Sequence, residues 1–139
     1  MSIGKSQSAN QSFRDLTVYR KAFALAMEIF EISKSFPKEE RYSLTDQVRR
    51  SSRAVCSCIA EAYRKRNYKA YFVSKSSDAD MENSETQAWL DFSQACKYID
   101  DDKYKDLLAQ SEEVGRMLNH MVENPEKYLR QEKKLETVN

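Results

Sequence analysis

Seven cations crowd the stretch from position 49 to 69: Arg49, Arg50, Arg53, Arg64, Lys65, Arg66 and Lys69. Guanidinium and ammonium groups at that density suit phosphate binding, because each can neutralise a phosphate and release its counterions. On a helix, positions 49, 53, 60 and 64 fall roughly on one face. Arg49, Arg53 and Arg64 then form a stripe of about 22 Å. Tyr63, Tyr68 and Tyr71 interleave near its end, and rings beside cations can stack on bases. The same arginines could instead pair with acids elsewhere in the chain and serve packing alone.

A second constellation is acidic. Asp78, Glu82 and Glu85 stand at i, i+4 and i+7, with Asp80 offset. Three carboxylates on one helix face could hold Mg²⁺ and make the chain a metal-dependent enzyme. Like charges at this spacing also repel, and arginines across a helix bundle relieve that. Asp46, Gln47, Arg50, Glu61 and Glu85 would form a polar layer of that kind. His120 is the single histidine, so any Ser–His–Asp or Cys–His machinery would have to use it. Position 117 is Met, so Glu-x-x-His is absent, and a di-iron bundle site needs two such motifs. His120 is expected on the surface near the end of the last helix, facing its dipole. Trp89 reads as packing. No cofactor, metal or small-molecule substrate is expected.

The elements that must carry these groups are helical. Only 2 Gly and 2 Pro occur in 139 residues, which argues against sandwiches, barrels and Gly-rich phosphate loops. Charged residues make up 32% and hydrophobic ones 40%, the balance of long amphipathic helices. One domain is expected, burying about two-thirds of its unfolded surface without staples. Three cysteines, Cys56, Cys58 and Cys96, are an odd count and read as reduced, buried thiols. Cys56 and Cys58 point about 200° apart on a helix and cannot share a metal. No apolar run approaches the ~18 residues of a membrane span, so a soluble cytoplasmic protein without a membrane partner is expected.

Residues 1–12 are polar and aperiodic and are predicted as a disordered leader. A first helix over 13–35 would start at a Ser12–Asp15 capping box, bury Leu16, Tyr19, Phe23, Ala26, Met27, Phe30 and Ser33, and stop at Phe36-Pro37. A second, over 44–65 and capped by Ser43, would bury Leu44, Val48, Ser52, Val55, Ile59 and Ala62. Its run of Ser, Ala and Cys from 51 to 62 suggests contact on more than one side, with a neighbouring subunit as the second partner. A third, over 68–99 and capped by Asn67, would be about 48 Å long and either overhang the others or bend at 66–72. A fourth, over 102–123, would follow the Asp100–Asp102 turn and end at Asn124-Pro125. The bundle then spans 13–123, in antiparallel up-down-up-down order because its connections are short. Residues 124–139 would be a weakly ordered tail.

Net charge is +1, yet residues 41–75 carry nine Lys/Arg against two Asp/Glu, and residues 76–113 carry three against eleven. Adjacent blocks of opposite sign tend to be mutual partners, and any excess of cations faces solvent or a polyanion.

Specific segments carry a family resemblance. They are Phe13-Arg14-Asp15-Leu16 with Tyr19 and Ala22, Phe36-Pro37 with Glu40, Leu44-Thr45-Asp46-Gln47-Val48-Arg49-Arg50-Ser51-Ser52, Ile59-Ala60-Glu61, and Glu85-Thr86-Gln87 running into Trp89-Leu90-Asp91-Phe92, then Cys96 and Tyr98-Ile99. Across residues 13–121 the chain resembles the four-helix-bundle proteins encoded in intervening sequences of bacterial large-subunit ribosomal RNA genes. That resemblance implies a ring-like homo-oligomer, pentameric in related proteins. It also implies kinship with the accessory variability protein of diversity-generating retroelements, which binds nucleic acid through a positively charged ring. The chain departs from the pattern where Cys58-Ile59-Ala60-Glu61-Ala62 replaces Asn-Ile-Ala-Glu-Gly, and where Lys97-Tyr98 replaces Gly-Tyr. Together these readings give a homo-oligomeric protein binding RNA or structured DNA. The alternative is a scaffold whose charges serve only self-assembly.

Overall fold

The computed structural model describes residues 12–130, so all of the predicted leader but Ser12, and the end of the predicted tail, lie outside that range. Within it the chain is all-α with four helices: α1 (Thr17–Ile32), α2 (Asp46–Arg64), α3 (Lys69–Ala95) and α4 (Asp101–Glu123). No described helix is long and apolar enough to cross a membrane.

The entry to α1 is broken rather than continuous. Ser12 and Asp15 form the expected reciprocal cap, but they close a 3₁₀ turn over Phe13–Asp15. Leu16 is extended at ψ 133°, and α1 begins after it. Helix α2 is preceded by a wide π turn over Arg41–Thr45. Ser43 lies inside that turn and donates to Glu40 Oε1 at 2.7 Å, so it does not cap α2. Asn67 likewise leaves the cap position of α3 to Tyr68. Asp100 caps α4 by accepting from the Lys103 amide at 2.7 Å.

Helix α3 is shorter than its periodicity suggests, though at 27 residues it is still longer than α1, α2 and α4 at 16, 19 and 23. Lys97 sits at φ 65°, the left-handed conformation that closes a helix. Its amide bonds to Gln94 O and the Tyr98 amide reaches back to Ser93 O, both at 2.9 Å, so the last carbonyls find partners.

Each helix touches two others: α2 lies against α1 and α3, and α4 against α3 and α1. The small residues of α2 divide between two sides of the helix, Ala54, Cys58 and Ala60 being half-buried and Ser57 exposed. Ser51, Ser52, Cys56 and Ala62 are buried between helices of the same chain.

Two apolar clusters fill the bundle. One gathers Val18, Ala22, Val55, Ile59, Phe72, Ala79, Val114, Leu118 and Met121; the other gathers Leu25, Ile29, Val48, Leu90, Ile99 and Leu107. Burying each large aliphatic contributes roughly 1.5–3 kcal/mol. Buried uncharged polar groups accompany them. Ser51 Oγ and Thr86 Oγ1 share a hydrogen bond of 2.8 Å between α2 and α3. Between α3 and α4, Asn83 Nδ2 donates to Ser111 O, Ser111 Oγ donates to Asn83 Oδ1, and Gln87 Nε2 donates to Ser111 Oγ, each at 2.9 Å. Gly115 leaves room there, since a Cβ on it would stand 3.2 Å from Asn83 Nδ2.

The core face of α1 differs from the predicted stripe. Val18, Ala22, Leu25, Ala26 and Ile29 point inward, whereas Phe23 and Met27 are 50% and 44% exposed. Residues 124–130 also depart from the loose tail. Pro125 is buried, Tyr128 and Leu129 pack on the first cluster, and the Tyr128 ring stacks on Phe72 at 5.9 Å. These three residues stand at i, i+3 and i+4, enough for a small apolar face.

Candidate nucleic-acid interface

The seven cations divide according to what α2 and its ends place beside them. Arg49 turns toward the end of α1. Its Nε donates to Ser33 Oγ at 2.7 Å, an Nη donates to Phe30 O at 3.3 Å, and its guanidinium lies 4.7 Å from the centre of the Phe30 ring. A cation on the terminal carbonyls of a helix satisfies acceptors that would otherwise be orphaned and offsets the helix dipole. Arg50 turns the other way and bridges Glu85 and Glu82 across the α2–α3 seam. The Glu85 carboxylate holds its guanidinium pKa above the ordinary arginine value. Lys69 bonds Glu126 Oε2 at 2.6 Å. These three of the predicted set therefore serve the fold.

The other four make no ion pair with a carboxylate among the described residues. Arg53 lies 5.5 Å from the Phe30 ring and is exposed, as is Arg64. Lys65 Nζ stands 5.7 Å from the centre of the Tyr68 ring and 5.0 Å from that of Tyr71. Arg66 lies 3.7 Å over the Tyr63 ring and donates from Nε to Tyr63 O at 2.8 Å. Burial, and secondarily Arg130 nearby, lowers its pKa from the ordinary value, but it stays charged in water. Tyr68 and Tyr71 are 61% and 49% exposed, whereas Tyr63 is buried. Arg64, Lys65 and Arg66 thus form a cationic corner where α2 hands over to α3, with Arg53 about three turns back along α2 beside Phe30, rather than the full stripe from Arg49 to Arg64.

The predicted polar layer does not assemble as one unit. Arg50 and Glu85 meet, and Trp89 Nε1 adds a bond to Glu85 Oε2 at 3.2 Å. Glu61 instead pairs with Lys75 at 2.8 Å, which raises the pKa of Lys75. Gln47 donates to Tyr42 O at 3.3 Å, and Asp46 is an exposed residue in the first turn of α2. The buried polar groups of the interior are uncharged: Ser51, Asn83, Thr86 and Ser111. Their sequence signal is phase. Asn83 stands four after Ala79 and three before Thr86, and Ser111 stands four after Leu107 and three before Val114.

The acidic set is spent on cations. Asp78 bridges Lys75 at 3.5 Å, and Glu82 and Glu85 face Arg50. Asp80 stands apart, its pKa raised by burial. Among the described residues no three His, Cys, Asp or Glu side chains come together as a metal site. His120 lies exposed in the last turn of α4, its Nδ1 against the Tyr128 hydroxyl. Of the thiols, Cys56 is buried, Cys58 half-buried and Cys96 exposed, which corrects the expectation of three buried groups. Cys96 is exposed because α3 ends one residue before it.

Fold and surface together define a small four-helix protein with a hydroxyl- and amide-rich interior and a cationic, tyrosine-bearing corner. The chain belongs to the 23S rRNA-intervening sequence protein family, whose model matches residues 14–120. It is similar to a solved structure from Bacteroides thetaiotaomicron, described as a protein of unknown function from the S23 ribosomal protein family. The TM-score is 0.70 at 25% identity, covering 77% of this chain and 96% of that one. No curated protein matches the chain.

Proposed function

We propose that this chain is a homo-oligomeric, non-catalytic accessory protein of the cytoplasm that binds RNA or structured DNA. The observation that carries this reading is the corner of Arg64, Lys65 and Arg66 together with Arg53 further back on α2, four cations with no carboxylate partner among the described residues. In an up-down-up-down bundle this corner recurs once per subunit. That topology is supported by the order of contacts: residue 50 meets 85 while 61 meets 75, and 83 meets 111 while 94 meets 101. A ring of copies, five as in related proteins, would turn a modest charge per chain into a large phosphate-binding surface through avidity.

The test is binding of labelled RNA and DNA by full-length protein freed of nucleic acid. Three phosphate contacts per chain predict about a 20- to 40-fold loss of affinity between 50 and 200 mM salt. Arg53→Glu with Arg64→Glu should abolish binding while helicity and oligomeric state stay unchanged. No shift of either polymer at low salt refutes the reading. Arg49 is the wrong residue for this experiment, because its loss would uncap α1.

One observation favours the scaffold reading. Ala70, Ser74, Ser77, Met81, Ser84, Ala88, Phe92 and Ala95 succeed one another along the outside of α3, all exposed and none charged. If Ala88→Glu dissociates an oligomer that binds no nucleic acid, self-assembly is the whole role of the fold.

A further inference from the structure

The geometry points to single-stranded nucleic acid, held by base stacking on Tyr68 and Tyr71, as the polymer this corner takes; the inference rests on the reading above and narrows it. Tracking a duplex needs cations spread along the phosphate path. The fold removes that spread, since Arg49 is turned onto α1, Arg50 onto Glu82 and Glu85, and Lys69 onto Glu126. Apart from Arg53, about three turns back along α2, what remains is compact: Arg64, Lys65 and Arg66 are consecutive, and two tyrosines follow within five residues.

Those rings are the unusual part. Tyrosine faces are hydrophobic, yet both stand out from the corner with their large apolar area toward solvent. Among the described residues the cation on them is Lys65, whose flexible ammonium is near both rings and pairs with no carboxylate. A base sliding onto either ring would displace a mobile ammonium, not a packed side chain. The ammonium would then be left beside the phosphate of the same nucleotide. Paired bases have no free face to offer, so this arrangement discriminates by strandedness, and it does so without reading sequence.

The experiment is fluorescence anisotropy with the full chain and three labelled probes: a 20-nucleotide oligo(U), a 20-nucleotide oligo(dT) and a 20-base-pair duplex. We expect the single strands to bind at least tenfold more tightly than the duplex. Tyr68→Ala with Tyr71→Ala should weaken single-strand binding about 10- to 100-fold and leave duplex binding and thermal unfolding unchanged. Tyr68→Phe with Tyr71→Phe should retain binding, because the ring and not the hydroxyl is the platform. Equal binding of duplex and single strands, with no effect of the alanine pair, overturns the stacking inference and leaves nucleic-acid binding standing. Absence of binding to all three probes at low salt overturns both.

Discussion

Lys97 gives the most direct test of the physical reasoning behind this fold. It holds φ 65° at the position that closes α3, and it carries a Cβ. A left-handed conformation costs an L-residue roughly 1–2 kcal/mol, because Cβ crowds the following carbonyl. Glycine avoids that cost, but its greater freedom in the unfolded chain returns roughly 0.5–1 kcal/mol. The difference predicts that Lys97→Gly stabilises the protein by about 0.5–1 kcal/mol. The side chain is exposed and has no ion pair among the described residues, so its removal should add nothing of its own. For a chain of this size that is about 2–3 °C in melting temperature. Circular dichroism melting, checked by urea titration at constant m-value, reads it. Lys97→Ala keeps the Cβ and should show no gain. If the glycine variant melts at or below the parent, or if alanine gains as much, the closing turn is not strained and the argument fails.

Other outcomes follow from single contacts. Ser111→Ala deprives the buried Asn83 Oδ1 and the Gln87 amide of their partner, so it should cost about 1–3 kcal/mol in urea unfolding. A loss below about 0.5 kcal/mol would mean that these groups find other partners. Burial pushes the Cys56 thiol up to about 11, so iodoacetamide at pH 8 should alkylate exposed Cys96 long before Cys56 in the native protein, as peptide mass spectrometry can follow. Hydrogen bonds from Gln110 and Lys103 hold the Glu28 carboxyl below the ordinary glutamate value of 4.5. Its contribution to stability is present above that value and drains away as pH falls through the lower folded pKa. Glu28→Gln should therefore flatten the acid limb of stability against pH, and an unchanged limb would remove Glu28 from the account.

Much of this fold could be read in advance because helices announce themselves by period and by what they lack. Leu44, Val48, Ser52, Val55, Ile59 and Ala62 recur at helical spacing and are all buried. Helix α1 shows where hydrophobicity misleads. It has two apolar faces, and the one with the larger rings, Phe23 beside Met27, is the one turned to solvent. Size drew attention to the wrong face, because a close-packed core between helices prefers the smaller Val18, Ala22 and Ala26. The end of α3 was missed because nothing in the letter Lys announces a positive φ. The resemblance did contain a clue, since the family pattern it implies has glycine at that position. At the cationic corner, periodicity could place Arg49 and Arg53 on one face but could not say that Ser33 Oγ and Phe30 O wait there as acceptors. Partner choice is a three-dimensional fact, and four of seven arginines and lysines had to be separated from the other three by geometry.

The wide turn over Arg41–Thr45 has a bearing on how this chain can change in length. A π turn closes each hydrogen bond one residue later than an α turn, so it stores one surplus amino acid without breaking the spiral. Deleting a single residue there would let the backbone rewind to ordinary pitch, with everything from Asp46 onward keeping its orientation. The segment works as a slip joint, and indels should be tolerated there far better than a turn or two downstream, where a missing residue would rotate Arg53 and Arg64 away from their present bearing.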